Sequence, residues 1–125
     1  MWAWDQSKGE LLRDGVFIAN GYSGHELGKN NPAMQDARGI GPIPRGKWTM
    51  TGVKNSPNTG PFTITLSPCA DTDCCGRSAF RIHGDSIAHP GTASHGCIIL
   101  PRAIRERIWD SLDHTLEVFA SRTDQ

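Results

Sequence analysis

Arg81-Ile-His-Gly-Asp-Ser-Ile-Ala-His-Pro-Gly-Thr-Ala-Ser-His-Gly-Cys-Ile-Ile-Leu100 places three of the five histidines and one of the four cysteines within residues 83–97. A thiol needs a base to become a good nucleophile near neutral pH, and an imidazole can supply it. Alone, with a pKa near 8.5, a thiol is only roughly 3% thiolate at pH 7; pairing with histidine makes it mostly thiolate, a gain of roughly thirtyfold. A lower pKa also gives a poorer nucleophile, with a Brønsted slope of about 0.4–0.5 in disulfide exchange. If that slope carries over, the two effects nearly cancel, and the larger benefit is position and proton delivery to the leaving group. Gly96 lets the backbone turn sharply before Cys97 and leaves N–H groups open to a reacting carbonyl. His83 falls at the expected end of a strand, and the fourteen residues from it to Cys97 are enough for a loop that returns to the same cleft.

Outward from this stretch the pattern is mainly β. Ser78 to His83 reads as a strand, with Phe80 and Ile82 on one face and Arg81 and His83 on the other. Phe62, Ile64 and Leu66 alternate with Thr63 and Thr65, as a half-buried strand does. From Lys47, Trp48, Met50 and Gly52 oppose Thr49 and Thr51, and residues 55–60 form the turn between these two strands. Met1 to Asp5 is expected to be an edge strand with both tryptophans on one face, and Gly15 to Ala19 a short apolar strand. The segment from Gly21 to Gly46 is long and irregular, a type of loop that often carries function. Downstream, Ile104, Ile108 and Leu112 form one apolar stripe of a helix over residues 102–112, with Arg102, Arg105, Glu106 and Arg107 on its wet face. Pro101 suits the start of that helix. Thr115 to Ala120 closes the chain as a strand with Leu116, Val118 and Ala120 inward. Trp2, Trp4, Trp48 and Trp109 read as packing residues.

The chain has 125 residues with 13 basic and 13 acidic side chains, so its formal charge is zero. That length fits a single domain over residues 1–125 with its own core. The balance speaks against a nucleic-acid partner, which usually needs a clearly basic surface. The longest aliphatic run is Ile98-Ile99-Leu100, far short of the roughly 18–20 residues that span a bilayer. Glycine and proline number 14 and 8, which favours many turns between short strands. The N-terminus lacks a basic stretch followed by an apolar one, so no ordinary secretory signal is expected. Yet Cys69, Cys74 and Cys75 crowd together as in an oxidising compartment, and a bridge from Cys69 to Cys74 or Cys75 is the simplest reading. His83, His89, His95 and Cys97 match no zinc spacing, so no metal and no cofactor is expected. His89 reads as a surface loop residue; His25 and His114 read as ordinary.

Ser94-His95-Gly96-Cys97, preceded by His83-Gly84, resembles the signature of the L,D-transpeptidases, YkuD-type cysteine enzymes of bacterial peptidoglycan. Gly41-Pro42-Ile43-Pro44-Arg45-Gly46-Lys47-Trp48 is similar to that family's Pro-x-Gly-aromatic segment. Asn20-Gly21-Tyr22-Ser23-Gly24, Gly28-Lys29-Asn30-Asn31-Pro32 and the opening Trp2-Ala3-Trp4-Asp5-Gln6-Ser7 resemble one branch, which includes antibacterial effectors of type VI secretion. The resemblance covers roughly residues 1–119.

It implies a small L,D-transpeptidase-like β-sandwich or barrel with one α-helix after the cysteine segment. Cys97 would be the nucleophile and His83 the base. His95 would line the cleft and support the thiolate or the substrate, and the N–H groups of Gly96 and Cys97 would hold the oxyanion. The Gly84 carbonyl, Asp85 or Ser86 would orient His83. Tyr22, Ser23, Gly84, Asp85, Ser86 and Ser94 are the expected substrate contacts, with Asn31 as a further cleft-lining residue.

The implied substrate is the peptidoglycan stem peptide, cut between the L-centre of meso-diaminopimelate and D-Ala. Water as acceptor gives an L,D-carboxypeptidase; a free D-amino acid gives exchange. The implied setting is the periplasm of a target bacterium, reached without a signal peptide, with an immunity protein and a secretion-apparatus component as partners. Most L,D-transpeptidases carry Arg or Asn two residues after the cysteine, where this chain has Ile99. Arg81 or Arg102 is the available replacement, although the effector branch itself tends to be apolar there. A housekeeping crosslinking enzyme and a non-catalytic peptidoglycan-binding module are the alternatives.

Overall fold

The computed structural model describes residues 1–121. These residues form nine strands and one α-helix. The strands are β1 (Trp2–Asp5), β2 (Glu10–Arg13), β3 (Val16–Asn20), β4 (Tyr22–Ser23), β5 (Gly46–Ser56), β6 (Gly60–Pro68), β7 (Arg81–His83), β8 (Ile98–Ile99) and β9 (Thr115–Phe119); the helix α1 spans Arg102–Asp110. All nine strands share one sheet in the order β3-β2-β1-β9-β5-β6-β7-β8-β4. Its two edges, β3 and β4, are consecutive in the chain and separated only by Gly21. The sheet must therefore curl until its edges nearly meet, which gives the closed, mainly-β architecture with one helix that the sequence led us to expect.

Gly21 sits at that meeting point. Its N–H donates to the Gly9 carbonyl at 2.8 Å. A Cβ added to it would lie 2.1 Å from the Ile99 carbonyl oxygen, so only glycine fits between the two edges.

The strands bury the alternating residues that their pattern marks. Trp2 and Trp4 of β1, Trp48 and Met50 of β5, and Leu116 and Val118 of β9 are at most 2% exposed, while Thr49 and Thr51 face out. Truncating one of these tryptophans to alanine removes about 3–5 kcal/mol of packing. β1 is not the edge strand expected: it pairs antiparallel with β2 and parallel with β9.

Three other expectations change. Phe62 leaves the inward row because its φ is +51° and the β5–β6 register shifts between Lys54 and Ser56. It lies only half-buried, with the Arg102 guanidinium 5.8 Å from its ring. Leu112 lies beyond α1, at φ +63°, and is 83% exposed. Arg105, expected on the wet face, is buried instead. α1 packs on β6 and β7, and Arg105 bonds the carbonyls of Leu100 (2.5 Å), Phe62 (3.0 Å) and Pro61 (3.2 Å). The helix is thereby tied to the chain segment that leaves β8.

Candidate active site

β7 and β8 run parallel, with Ile82 opposite Ile98 and His83 opposite Ile99. His83 ends β7, and Cys97 immediately precedes β8. Both line one cleft of about 980 Å³, together with Gly84, Asp85, Ser86, His95, Arg102 and Arg105. The irregular chain between the two strands supplies one wall of this cleft through Ile87, Ala88, Thr92 and Ala93, and the β5–β6 turn supplies another.

His83 is buried, and its Nδ1 lies 2.9 Å from the Gly84 carbonyl. A carbonyl can only accept, so Nδ1 carries the proton and Nε2 of the neutral ring is left with its lone pair. Of the three groups considered for orienting His83, the Gly84 carbonyl is the one bonded to it. Burial pushes the His83 pKa below 6.5; the Gly84 bond opposes this, and the charges of Arg105 and Arg81 add to it.

Cys97 is pushed the other way. Burial raises its thiol above the ordinary value, against an N–H bond from Arg81 and the positive charges of Arg81 and Arg77. Its sulfur lies 3.7 Å from the Ala79 carbonyl. Both shifts favour the neutral forms, thiol and imidazole, because burial penalises the charge on each group. The mostly-thiolate resting state expected from sequence is therefore not the state this environment favours.

The backbone before Cys97 is closely wired. Ser94 is fully buried; its Oγ donates to the Cys97 carbonyl at 2.6 Å and accepts from the N–H groups of Gly24 (2.8 Å) and Gly96 (3.1 Å). Ser23 is also fully buried; its Oγ donates to the Gly96 carbonyl at 2.9 Å and accepts from Ile43 N–H at 2.8 Å. Neither Ser23 nor Ser94 lines the cleft, and both hydroxyls hold the loop. The Gly96 N–H, expected to be open to an oxyanion, is already used by Ser94. Gly96 itself is required, since at φ +138° an added Cβ would lie 2.4 Å from Arg77 Nη2 and 2.9 Å from the Phe80 ring.

Tyr22 lies beside the site in a second, mostly apolar cleft of about 490 Å³ that shares Gly84, Asp85, Arg102 and Arg105 with the first. Its hydroxyl donates to Asp85 at 2.6 Å and accepts from Ala93 N–H. Burial, then the bond to Asp85, pushes the Tyr22 pKa up to about 12. Burial works to raise Asp85 as well, but its bonds from Tyr22 and from the N–H groups of Gly91 and Ser86 hold it below the usual carboxylate value. Ser86 Oγ accepts from His89 N–H at 2.9 Å. His95 borders the cleft with Nδ1 3.0 Å from the Gly39 carbonyl, and its ring centroid is 5.3 Å from that of His25. Ile99 is buried in β8, between β7 and β4.

The cysteine loop departs from expectation. Cys69, Cys74, Cys75 and Cys97 are free thiols. Cys69 is exposed beside Thr49, whereas Cys74 packs against the core. Among the described residues no group of three or more His, Cys, Asp or Glu side chains is gathered to hold a metal ion. No helix among them is long and apolar enough to cross a membrane.

Residues 18–121 match a family model described as the Tlde1 domain. The fold is similar to that of an L,D-transpeptidase (Yku) from Stackebrandtia nassauensis, with a TM-score of 0.56 and 17% identity. That alignment covers 99% of this chain but only 57% of the longer one. A search of the curated proteins gave no match. The family match takes in most of the chain, including His83 and the whole Ser94–Cys97 loop, and the chain belongs to the Tlde1 domain family.

Proposed function

We propose that this chain is a cysteine enzyme that modifies the peptidoglycan stem peptide, with L,D-carboxypeptidase and D-amino-acid-exchange activity, acting as one catalytic domain over residues 1–125. The observation that carries this reading is the pairing of β7 with β8. It brings His83 and Cys97 to one cleft, with Nδ1 of His83 tied to the Gly84 carbonyl and Nε2 left to act as a base.

Because the resting pair is neutral, proton transfer and attack are coupled. The Cys97 sulfur bonds to the carbonyl carbon of the L-centre of meso-diaminopimelate as its proton passes to His83 Nε2. Charge develops on the carbonyl oxygen, and the Cys97 N–H receives it, since Gly96 N–H is held by Ser94. The C–N bond to D-Ala then breaks, Nε2 returns its proton to the leaving amine, and a thioester on Cys97 remains. Water, deprotonated by Nε2, releases a shortened stem peptide; a free D-amino acid attacking through its amine gives exchange. In both cases the C–S bond breaks and the sulfur regains a proton.

Membership of the effector family supports a site of action at the wall of a target cell. The finer reading is action in the periplasm, with an immunity protein that covers the cleft and a secretion component that delivers the chain. A wall-binding module is the second reading, favoured by the raised Cys97 thiol and by its contact with the Ala79 carbonyl. Purified tetrapeptide muropeptides, incubated with and without D-Met and read by mass spectrometry, separate these readings. Loss of D-Ala with a D-Met adduct is expected. Unchanged muropeptide under conditions where another L,D-transpeptidase works would leave only the binding module.

A further inference from the structure

We propose that Arg77 is the positioning residue of the Cys97 loop: its guanidinium clamps the peptide before Gly96 to the 35–42 segment and so fixes where the sulfur and the N–H of Cys97 sit in the cleft. Arg77 lies outside the sequence signature, yet its side chain is buried. Nη1 donates to the carbonyls of Gln35 (2.7 Å) and Pro42 (2.8 Å), and Nη2 to those of Gly41 (2.8 Å) and His95 (3.0 Å). The His95 carbonyl belongs to the peptide joining His95 to Gly96. Arg77 thus completes the wiring of the loop, alongside Ser94 on Gly96 N–H and the Cys97 carbonyl and Ser23 on the Gly96 carbonyl.

The fold makes room for this group. Added Cβ atoms at Gly96 and Gly41 would lie 2.4 and 3.1 Å from its nitrogens, and its Cζ stands 5.1 Å from the centre of the Phe80 ring. The planar guanidinium, with two N–H donors on each terminal nitrogen, satisfies four carbonyls at once; a lysine ammonium has three donors on one atom and cannot span them. The four acceptors are neutral, so they hold the cation without cancelling its charge. Arg77 and Arg81 are the cations that act on Cys97, and Asp36, Cys75 and Cys97 are the groups whose charges act on Arg77. His83, Asp85, His95, Arg102 and Arg105 are the titratable and charged groups that line the cleft with Cys97.

The inference rests on Cys97 being the nucleophile, and its test keeps the two claims apart. Arg77→Lys and Arg77→Gln are compared with wild type for kcat and KM on a tetrapeptide stem. Carbamidomethylation of Cys97 by iodoacetamide is followed against pH by peptide mass spectrometry. A misplaced nucleophile costs about a hundredfold in rate, so kcat should fall by roughly that factor in both variants while KM stays within about threefold. The alkylation profile should move to higher pH in Arg77→Gln and stay in place in Arg77→Lys, which a merely structural role would not do. A folded Arg77→Gln with wild-type kcat and profile overturns the inference; Cys97→Ala with intact turnover would instead overturn the enzyme reading. If neither variant folds, the wild-type protein decides. The Arg77 guanidinium nitrogen resonances should be resolved by slow rotation and should shift when Cys97 is carbamidomethylated, and averaged, unmoved resonances would refute the clamp.

Discussion

Replacing Ser94 by alanine removes one hydroxyl and strands three backbone groups. Its oxygen donates to the Cys97 carbonyl and accepts from Gly24 and Gly96, all at 3.1 Å or less, in a residue with no exposed surface. Each buried group left without a partner costs about 1–3 kcal/mol, so three set a range of about 3–9 kcal/mol. Relaxation and an entering water recover part of this, and a loss of about 3–4 kcal/mol is expected. Against a total stability of about 5–15 kcal/mol that is severe, and it lowers the melting temperature by about 10–15 °C. Ser23→Ala strands only the Gly96 carbonyl and Ile43 N–H, and should cost about 2 kcal/mol. Both serines hold Gly96, so the double variant should lose less than the sum. Urea unfolding followed by tryptophan fluorescence gives all three values. A Ser94→Ala protein within about 1 kcal/mol of wild type, or one more stable than Ser23→Ala, would show that the hydroxyl does not hold this loop.

His83 has a folded-state pKa below 6.5, so unfolded chains bind its proton first as pH falls. Unfolding free energy should be insensitive to this group above about pH 6.5 and decline below it until the folded pKa is passed; His83→Gln should remove that part of the decline. The acid limb of kcat/KM should likewise fall below pH 6.5, and a limb at or above it would contradict the buried neutral ring. Leu112 sits at φ +63° with its side chain 83% exposed, so Leu112→Gly should stabilise the protein by up to about 1 kcal/mol, measured as a raised urea midpoint. Arg105→Met keeps much of the apolar stem but strands the carbonyls of Leu100, Phe62 and Pro61; a loss of about 2–4 kcal/mol is expected from the same urea titration.

The strands that alternate cleanly were legible in the sequence: β5 and β9 bury the residues their period-two pattern names. β2 was not, because a register shift between Leu11 and Leu12 lets both leucines turn inward and erases the alternation. The end of α1 was misplaced because Leu112 continues the helical spacing while its backbone has already turned left-handed. In the site, the cleft-lining positions of His83, His95 and Cys97 follow from the motif, and the Gly84 bond to His83 is a neighbour contact within reach of sequence reasoning. The buried roles of Ser23, Ser94, Arg77 and Arg105 were hidden. Their partners are carbonyls and amides brought in largely by the tertiary fold, such as Gln35 for Arg77 and Gly24 for Ser94, and a backbone acceptor leaves no mark in the residue code. A charged residue alone in an apolar helical stripe, as Arg105 is beside Ile104 and Ile108, is the one local hint that was available.

Trapping the reaction on the protein tests the chemistry most directly. Wild-type protein is mixed with a tetrapeptide stem, quenched in acid within seconds and weighed by intact-protein mass spectrometry, with Cys97→Ala and His83→Ala alongside. The expected result is an added mass of the stem peptide minus D-Ala, mapped to Cys97, missing in Cys97→Ala and slow to form in His83→Ala. Release of D-Ala by the Cys97→Ala protein at the wild-type rate would contradict the account.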